Sequence, residues 1–230
     1  MRSVSGKGQK KTGPRRGRPP GSTSDQTRRR ILQAACECFG ARGYESTTNR
    51  DIADRAGLTA AAIYQYFDSK LVLYTEAARE AQREIVPLFE QAIAGQPSAR
   101  AALSALTRAY ATAYERFPRS TPFLSGIAVE MHRHPEVAGV VLGEPNPVLQ
   151  MIVDIVERGV DEGEIPRGEA SAVVSMYLAS TMGFSLQAAL TGAAGLAEAV
   201  EAFVRLLDGN LFAAPREKAK PAGRKTKKAG

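Results

Sequence analysis

Apolar residues recur three and four positions apart along most of this chain, the spacing that places them on one face of an α-helix. No run alternates apolar and polar residues for more than a few positions, so no β-strand is predicted. The pattern therefore predicts an all-α fold. Its helices are expected over residues 24–42, 48–56, 59–67, 70–89, 98–117, 123–133, 135–142, 148–162, 169–190 and 196–212.

The most informative local pattern lies in residues 47–70. Thr48, with Asp51 three positions later, is a capping-box signature at the start of a short helix, and Gly57 supplies a left-handed residue at its end. Thr59 can cap the next short helix. Two short helices joined by a tight turn with glycine form the helix-turn-helix signature. An ordinary pair of short core helices is the alternative interpretation.

Specific residue types surround this motif. Their order is Thr47-Thr48-x-Arg50-x-Ile52-Ala53, then Gly57-Leu58-Thr59, then Ile63-Tyr64-x-Tyr66-Phe67-x-Ser69-Lys70. This combination resembles the DNA-binding domain of the tetracycline-repressor (TetR) family from Asp25 to about Ala81. The resemblance implies a helix-turn-helix head on a larger helical body that binds a ligand and forms a homodimer. It also implies a double-stranded DNA operator as the partner of the head.

The same resemblance implies which residues of the head touch DNA. Thr48 and Lys70 would each hold a phosphate. Arg50 would reach a base, and Tyr64 would contact the DNA backbone. The segment from Thr59 to Gln65 would face the major groove. Three alanines stand there where polar or basic residues are common in the family: Ala60, Ala61 and Ala62. Their methyl groups can touch thymine methyls but cannot read guanine, so few hydrogen bonds are expected to read the operator.

Positive charge is concentrated at the two ends of the chain, which has a formal net charge of +7. Residues 1–30 hold ten Lys or Arg and residues 215–230 hold seven, whereas Asp and Glu outnumber Lys and Arg in between. This distribution is expected of a protein that touches nucleic acid with part of itself. Four regions are predicted: a disordered basic arm (1–24), a DNA-binding domain (25–85), a ligand-binding and dimerisation domain (86–213) and a disordered basic tail (214–230).

The first arm contains a candidate minor-groove element. Its sequence, Arg15-Arg16-Gly17-Arg18-Pro19-Pro20-Gly21, resembles an AT-hook, in which a Gly-Arg-Pro core enters the minor groove. Arg16 and Arg18 would lie along the groove floor. A solubilising or nonspecific basic tail is the alternative for this arm. For the whole protein, the corresponding alternative is a nonspecific architectural DNA-binding protein, which would coat A·T-rich DNA instead of protecting one palindromic site.

An enzyme is the competing functional class, and the sequence offers it little. Cys36 and Cys38 point to different sides of a helix, so they can neither pair nor clamp a metal. His132 and His134 lie near glutamates, but a solvated surface explains them better than a metal site. The sequence has no phosphate-cradling glycine loop, no Gly-x-Ser-x-Gly elbow and no zinc-binding cysteine set. We expect no catalytic residue, no metal and no cofactor.

Residues 170–197 contain no charged side chain and form the one candidate membrane span. Four serines, two threonines and a Thr-Gly-Ala-Ala-Gly break make a span poor, so a soluble, buried helix is the preferred interpretation. The N-terminal residues have no apolar core of a signal peptide. A cytoplasmic protein without a membrane partner is therefore expected.

The body is predicted to bind an unidentified, apolar small-molecule effector. Aromatic and methionine residues at helical spacing are candidates for its cavity, although such residues more often belong to an ordinary core. The candidates are Tyr110, Tyr114, Phe123, Met131, Met151, Tyr177 and Met182.

The last two predicted helices carry apolar stripes larger than one small bundle can bury, which predicts a dimer interface there. Its candidates are Leu186, Leu190, Val200, Phe203 and Leu207. Changing Phe203 and Leu207 together to Asp is expected to give monomers. The predicted function is a ligand-responsive repressor that binds a near-palindromic operator as a homodimer.

Overall fold

The computed structural model describes residues 23–212, and over these residues the protein is built from α-helices without a strand. The all-α prediction is confirmed. In chain order, the helices are α1 (Thr23–Ser46), α2 (Asn49–Ala56), α3 (Ala60–Tyr64), α4 (Lys70–Ile93), α5 (Ala99–Arg116), α6 (Ser120–Arg133), α7 (Pro135–Val141), α8 (Pro147–Asp161) and α9 (Ala170–Leu207). A short 3₁₀ helix (Arg167–Glu169) precedes α9. The basic arm, with Arg16 and Arg18, and the basic tail lie outside the described residues.

Side-chain caps set the starts of the helices in the head. The hydroxyl of Thr48 accepts a hydrogen bond from the amide of Asp51 at 3.1 Å, and the Asp51 carboxylate accepts one from the amide of Thr48 at 2.9 Å. This is the predicted capping box, and the hydrogen bonds from Thr48 lower the pKa of the Asp51 carboxyl. The hydroxyls of Thr59 and Ser69 cap α3 and α4 in the same way.

Two glycines interrupt long helices because they adopt positive φ angles that other residues rarely take. Gly43 has a φ of 78° inside α1, and Gly192 has a φ of 73° inside α9. Both breaks fall where the sequence predicts a helix end. Helix α9 therefore consists of two parts, residues 170–191 and residues 193–207. Helix α6 starts earlier than predicted, because Pro122 lies in its first turn, where a missing amide hydrogen is tolerated.

The first of two buried apolar clusters fills the head. Phe39, Tyr74 and Phe123 are at its centre, with ring centroids 4.9 to 6.0 Å apart. Phe123 belongs to α6, and Val137 of α7 is also buried in this cluster. The core of the head therefore continues into helices that the sequence assigned to the body.

The second cluster fills the body, where α5 packs against α4, α8 and α9. Helix α4 contributes to both clusters, because Tyr74 and Ala77 are buried in the head whereas Ile85 and Phe89 are buried in the body. Helices α4 and α6 are thus shared between the head and the body. A displacement of either helix in the body would therefore also displace residues in the head.

The packing of α8 depends on Gly159. A Cβ atom at this position would lie 2.6 Å from Cβ of Ala99 and 2.8 Å from Cδ1 of Ile165, which is closer than carbon atoms approach. We expect Gly159→Ala to lower the free energy of unfolding by about 1–3 kcal/mol through overpacking, as measured by urea denaturation. Gly139→Ala on α7 is the control, because nothing lies within 4 Å of its added methyl group. Equal stability of the two variants would contradict this packing.

Candidate functional site

Helices α2 and α3 form the predicted helix-turn-helix. Their inner faces are buried, with Ile52, Ala53 and Ile63 fully inaccessible to solvent. Gly57 closes α2 with a φ of 66°, as predicted, and its amide donates to the carbonyl of Asp54 at 3.2 Å. Helix α3 ends at Tyr64 instead of continuing to Phe67. The chain turns there because Phe67 is buried in the core of the head.

The outer surface of this unit holds the predicted DNA-reading residues. Arg50 is exposed, and no hydrogen-bond or ion-pair partner of its side chain is found within residues 23–212. Tyr64 is 59% exposed, and Gln65 beside it is exposed as well. Ala60 and Ala62 are half-buried on α3. Arg50, Tyr64 and Gln65 are therefore accessible to a large partner.

Three other predicted DNA contacts also have structural roles within the head. The hydroxyls of Thr48 and Thr59 serve as helix caps. The ammonium of Lys70 donates to the carbonyl of Tyr44 at 3.0 Å and lies 4.4 Å from the centroid of the Tyr44 ring. Lys70 thus holds the connection between α1 and α2 against the start of α4. Its phosphate contact stays a prediction.

Helix α6 contacts this same connection from the body side. A carboxylate oxygen of Glu130 accepts a hydrogen bond from the amide of Tyr44 at 3.2 Å and lies 3.4 Å from Nε2 of His134. The His134 side chain is only 16% exposed, so the prediction of a solvated surface is wrong for this residue, whereas His132 is exposed. Among residues 23–212, no group of three or more His, Cys, Asp and Glu side chains could hold a metal ion.

A cavity of about 580 Å³ lies in the body between α4, α5, α6, α8 and α9. Four of the seven predicted ligand-binding residues line it: Tyr110, Met131, Tyr177 and Met182. The wall also includes apolar residues that were not among the predicted ligand-binding residues, such as Phe89, Leu106 and Ile127. The volume falls within the range of sites for small organic molecules.

The other three predicted ligand-binding residues lie outside this cavity. Phe123 packs in the core of the head, on the other side of α6. Met151 is buried in the body core, and Tyr114 packs against that core while partly exposed. Helical spacing marks all three as inward-facing. It does not distinguish a solid core from a cavity, so it could not separate these three residues from the four that line the cavity.

Hydroxyl groups in the cavity wall are already hydrogen-bonded within the protein. The hydroxyl of Tyr177 donates to the carbonyl of Leu103 at 3.2 Å, and that of Tyr110 lies 3.0 Å from the hydroxyl of Ser125. Burial raises the pKa of both tyrosines, so both stay neutral. The charged residues among those lining the cavity are Arg79 and Glu144, which pair with each other at 3.0 Å.

The first part of α9 presents apolar side chains to solvent. Leu186 and Leu190, two of the five predicted interface residues, are 63% and 73% exposed, and Met176 on the same helix is 51% exposed. The other three predicted interface residues pack within the chain itself. Val200 is 1% exposed, Phe203 packs edge-on against Phe184 with centroids 5.4 Å apart, and Leu207 packs against the body core. Phe203 and Leu207 are only partly buried, and the part of these three residues in an interface stays a prediction.

The helical segment Arg167–Leu207 has a length and a composition that would also allow it to cross a membrane. Only 17% of its most apolar window is buried, so the expectation of a buried helix is wrong. On its other side, Tyr177, Phe184 and Ala188 pack into the body core. A helix with one face in a core and an apolar face left uncovered is typical of an interface between proteins.

Comparison with known protein families gives one match at the head. Residues 31–77 match the family described as bacterial regulatory proteins, tetR family. The chain is 35% identical over 104 residues to the HTH-type transcriptional repressor KstR2 of Rhodococcus jostii, which is 44% of this chain and 50% of that protein. It is 36% identical over 86 residues to the HTH-type transcriptional activator FasR of Mycolicibacterium smegmatis, covering 37% of this chain and 39% of FasR. The chain spans half or less of the length of these relatives.

Solved structures match over most of the chain. Salmonella enterica GusR superposes with a TM-score of 0.63 at 22% identity, covering 84% of this chain and 99% of GusR. FadR from Bacillus subtilis, solved in complex with stearoyl-CoA, gives a TM-score of 0.63 at 17% identity and covers 80% and 99% of the two chains. A regulator from Agrobacterium tumefaciens gives 0.65 at 20% identity, covering 79% and 97%. These likenesses establish the shared fold of head and body.

Proposed function

We propose that this chain, a member of the tetR family through its N-terminal domain, is a homodimeric transcriptional regulator that responds to a small molecule. The two heads bind the major grooves of a near-palindromic DNA operator, and the cavity in the body binds the effector. The protein acts in the cytoplasm, where its DNA is, and it carries out no chemical reaction.

The observation that carries this proposal is the sharing of two helices between the cavity and the head. Helix α6 supplies Met131 to the cavity wall, and its Glu130 binds the amide of Tyr44 in the head. Helix α4 supplies Arg79 to the cavity, and its Lys70 holds the same connection in the head. A ligand that shifts either helix changes the position of the DNA-reading unit relative to the body, and hence the spacing of two heads in a dimer.

Repression is the direction of control that requires no component beyond the bound dimer. A dimer seated on an operator blocks access to the DNA through its bulk alone, and a ligand that separates the heads releases it. The KstR2 relatives are named repressors, whereas FasR is named an activator. We therefore propose a repressor that its effector removes from DNA.

Selection of bound fragments from a random DNA library tests this function. The regulator should enrich an inverted repeat whose half-sites are about one helical turn apart, roughly 34–36 Å between centres. A nonspecific architectural protein would instead enrich A·T-rich fragments without a repeat. Enrichment of A·T-rich fragments without an inverted repeat would overturn the proposal.

The basic arm adds a further proposal that rests on sequence alone. Arg16 and Arg18 on either side of Gly17 suit the narrow minor groove of A·T tracts beside the operator. Deleting residues 1–21 should remove a preference for A·T-rich flanks and leave the inverted repeat unchanged, as measured by selections with both proteins at the same salt concentration. Arg18→Ala should reproduce most of this loss, and Lys10→Ala should not. Equal affinity of the full chain for operators with G·C-rich and A·T-rich flanks would contradict minor-groove reading.

A further inference from the structure

Four side chains of alternating charge form a row from the cavity to the head. Glu144, in the connection between α7 and α8, binds Arg79 of α4 through two hydrogen bonds of 3.0 and 2.5 Å. Arg79 also pairs with Glu76 one turn earlier on α4. Glu76 in turn binds Arg28 of α1 at 2.6 Å. We refer to these four residues as the charge row.

One end of the charge row lies in the cavity wall. Arg79 and Glu144 both line the cavity, and the other lining residues in the described part of the chain are apolar or uncharged. The Glu144 carboxylate meets the Arg79 guanidinium through both oxygens, the geometry in which arginine recognises planar carboxylates. Glu144 therefore occupies the position that the carboxylate of a bound molecule would take.

The other end of the charge row lies against the DNA-reading unit. The Arg28 guanidinium is 5.3 Å from the ring centroid of Phe67, a residue 2% exposed that follows α3. Burial by itself raises the pKa of the Glu76 carboxyl, but Arg28 and Arg79 together lower it below its ordinary value. Glu76 therefore stays ionised and links the two arginines.

We propose that the effector is an organic anion with an apolar body and a terminal carboxylate, and that Arg79 binds this carboxylate in place of Glu144. This inference rests on the proposed function, because it assigns the chemistry of the effector to the same cavity. The apolar body fits a wall whose hydroxyls are satisfied internally, and the carboxylate fits Arg79, the one cation that residues 23–212 place in that wall. Displacement of Glu144 frees the exposed connection between α7 and α8 and repositions Arg79, which shares Glu76 with Arg28.

The charge row also assigns a route to the head. When the ligand draws Arg79 toward the cavity, Glu76 loses one of its two partners and Arg28 becomes its main counter-charge. Because the Arg28 guanidinium also lies over the ring of Phe67, the change reaches the buried residue that follows α3. Arg28 and Glu76 act as positioning residues, since neither lines the cavity.

Binding of matched acids and alcohols tests the ligand class. The probes are dodecanoic acid with dodecan-1-ol, and a fused-ring carboxylic acid with its primary alcohol, titrated calorimetrically into the full chain. For at least one pair, the acid should bind about tenfold or more tighter than its alcohol, because a charge-assisted pair with Arg79 is gained. Equal affinities within both pairs, a preference for the alcohols, or no binding by either acid would overturn the inference.

Three variants distinguish recognition of the ligand carboxylate by Arg79 from a purely structural role of the pair of Arg79 and Glu144. Arg79→Gln should abolish the preference for the acid, and Glu144→Gln should strengthen acid binding because a competitor of the ligand is removed. Arg83→Gln is the matched control, since Arg83 pairs with Glu80 at 2.9 Å on the same helix and does not line the cavity. If Arg79→Gln and Glu144→Gln each change the affinities for acid and alcohol by the same factor, the pair of Arg79 and Glu144 only connects α4 to the segment between α7 and α8. The inference then fails.

Operator affinity measured with and without the acid distinguishes this inference from the proposed function. Loss of operator affinity with the acid, and a smaller loss in Arg28→Gln at equal acid occupancy, supports both the ligand class and the route. Tight, Arg79-dependent binding of the acid without any effect on the operator supports the ligand class and contradicts the proposed regulation. An unchanged response in Arg28→Gln would overturn the route through the charge row.

Discussion

Replacing Leu186 and Leu190 together by Asp should convert the protein into a folded monomer that has lost its operator. Both leucines are largely exposed on the first part of α9, so the substitutions disturb few contacts within the chain. Two aspartates on each protomer would be buried without partners in a dimer, which costs several kcal/mol per ion. Because the heads then bind separately, operator affinity should fall by about 10²-fold or more.

The measurement is light scattering after size-exclusion chromatography, with circular dichroism as the test of folding. Val129→Asp is the control, because Val129 is an apolar residue that is 38% exposed and belongs to α6 instead of α9. That variant should remain a dimer. A double variant that stays dimeric, or a wild-type protein that is monomeric at micromolar concentration, would contradict the placement of the interface.

The structure changes which substitutions can test dimerisation. Phe203 packs against Phe184, and its ring centroid lies 6.4 Å from that of Tyr177 in the body core. Asp at position 203 would place a charge in that core. We therefore expect the double change Phe203→Asp and Leu207→Asp to unfold the body, and not to give the folded monomers that the sequence suggested.

Arg50→Ala should produce the second large effect, a loss of both affinity and sequence preference. An exposed arginine without a partner in the described head is free to form two hydrogen bonds with a guanine. Its removal should cost about 1–3 kcal/mol in each half-site and relax the preference at one position. The test is an affinity series on operators that carry each base at every position.

Two variants give this experiment its controls. Arg55, on the same helix, pairs with Glu37 of α1, so Arg55→Ala should leave the base preference unchanged. Lys70→Ala should weaken binding on all sequences alike, because its ammonium holds the connection between α1 and α2. Uniform weakening by Arg50→Ala as well would mean that Arg50 contacts only phosphate.

The head could be predicted from the sequence because its signals are local. The capping box of Thr48 and Asp51 spans four residues, and the left-handed Gly57 closes its own helix. Such features depend on neighbours along the chain and need no knowledge of distant contacts. The start of α2, its end at Gly57 and the helix-turn-helix therefore agree with the structure, whereas α3 ends at Tyr64, before the predicted Phe67.

The cavity and the interface depend on contacts between distant residues, which helical periodicity does not describe. Phe123 is apolar and inward-facing, yet α6 has one side toward the head and another toward the cavity, and Phe123 is on the former. An apolar stripe likewise does not reveal whether its own chain or a partner covers it, as Val200 and Leu190 demonstrate. The pair of Arg79 and Glu144 joins residues 65 positions apart, so no local pattern marks it.

Hydroxyl-radical footprinting on the selected operator reports how many heads bind to the DNA and where they bind. A dimer that reads DNA with two heads should give two protected regions related by a two-fold axis, with centres about one helical turn or roughly 34–36 Å apart. Both regions should fade together when Leu186 and Leu190 are replaced by Asp. Uniform protection along the fragment, or a single protected half-site with wild-type protein, would contradict a dimeric regulator that reads DNA through its two heads.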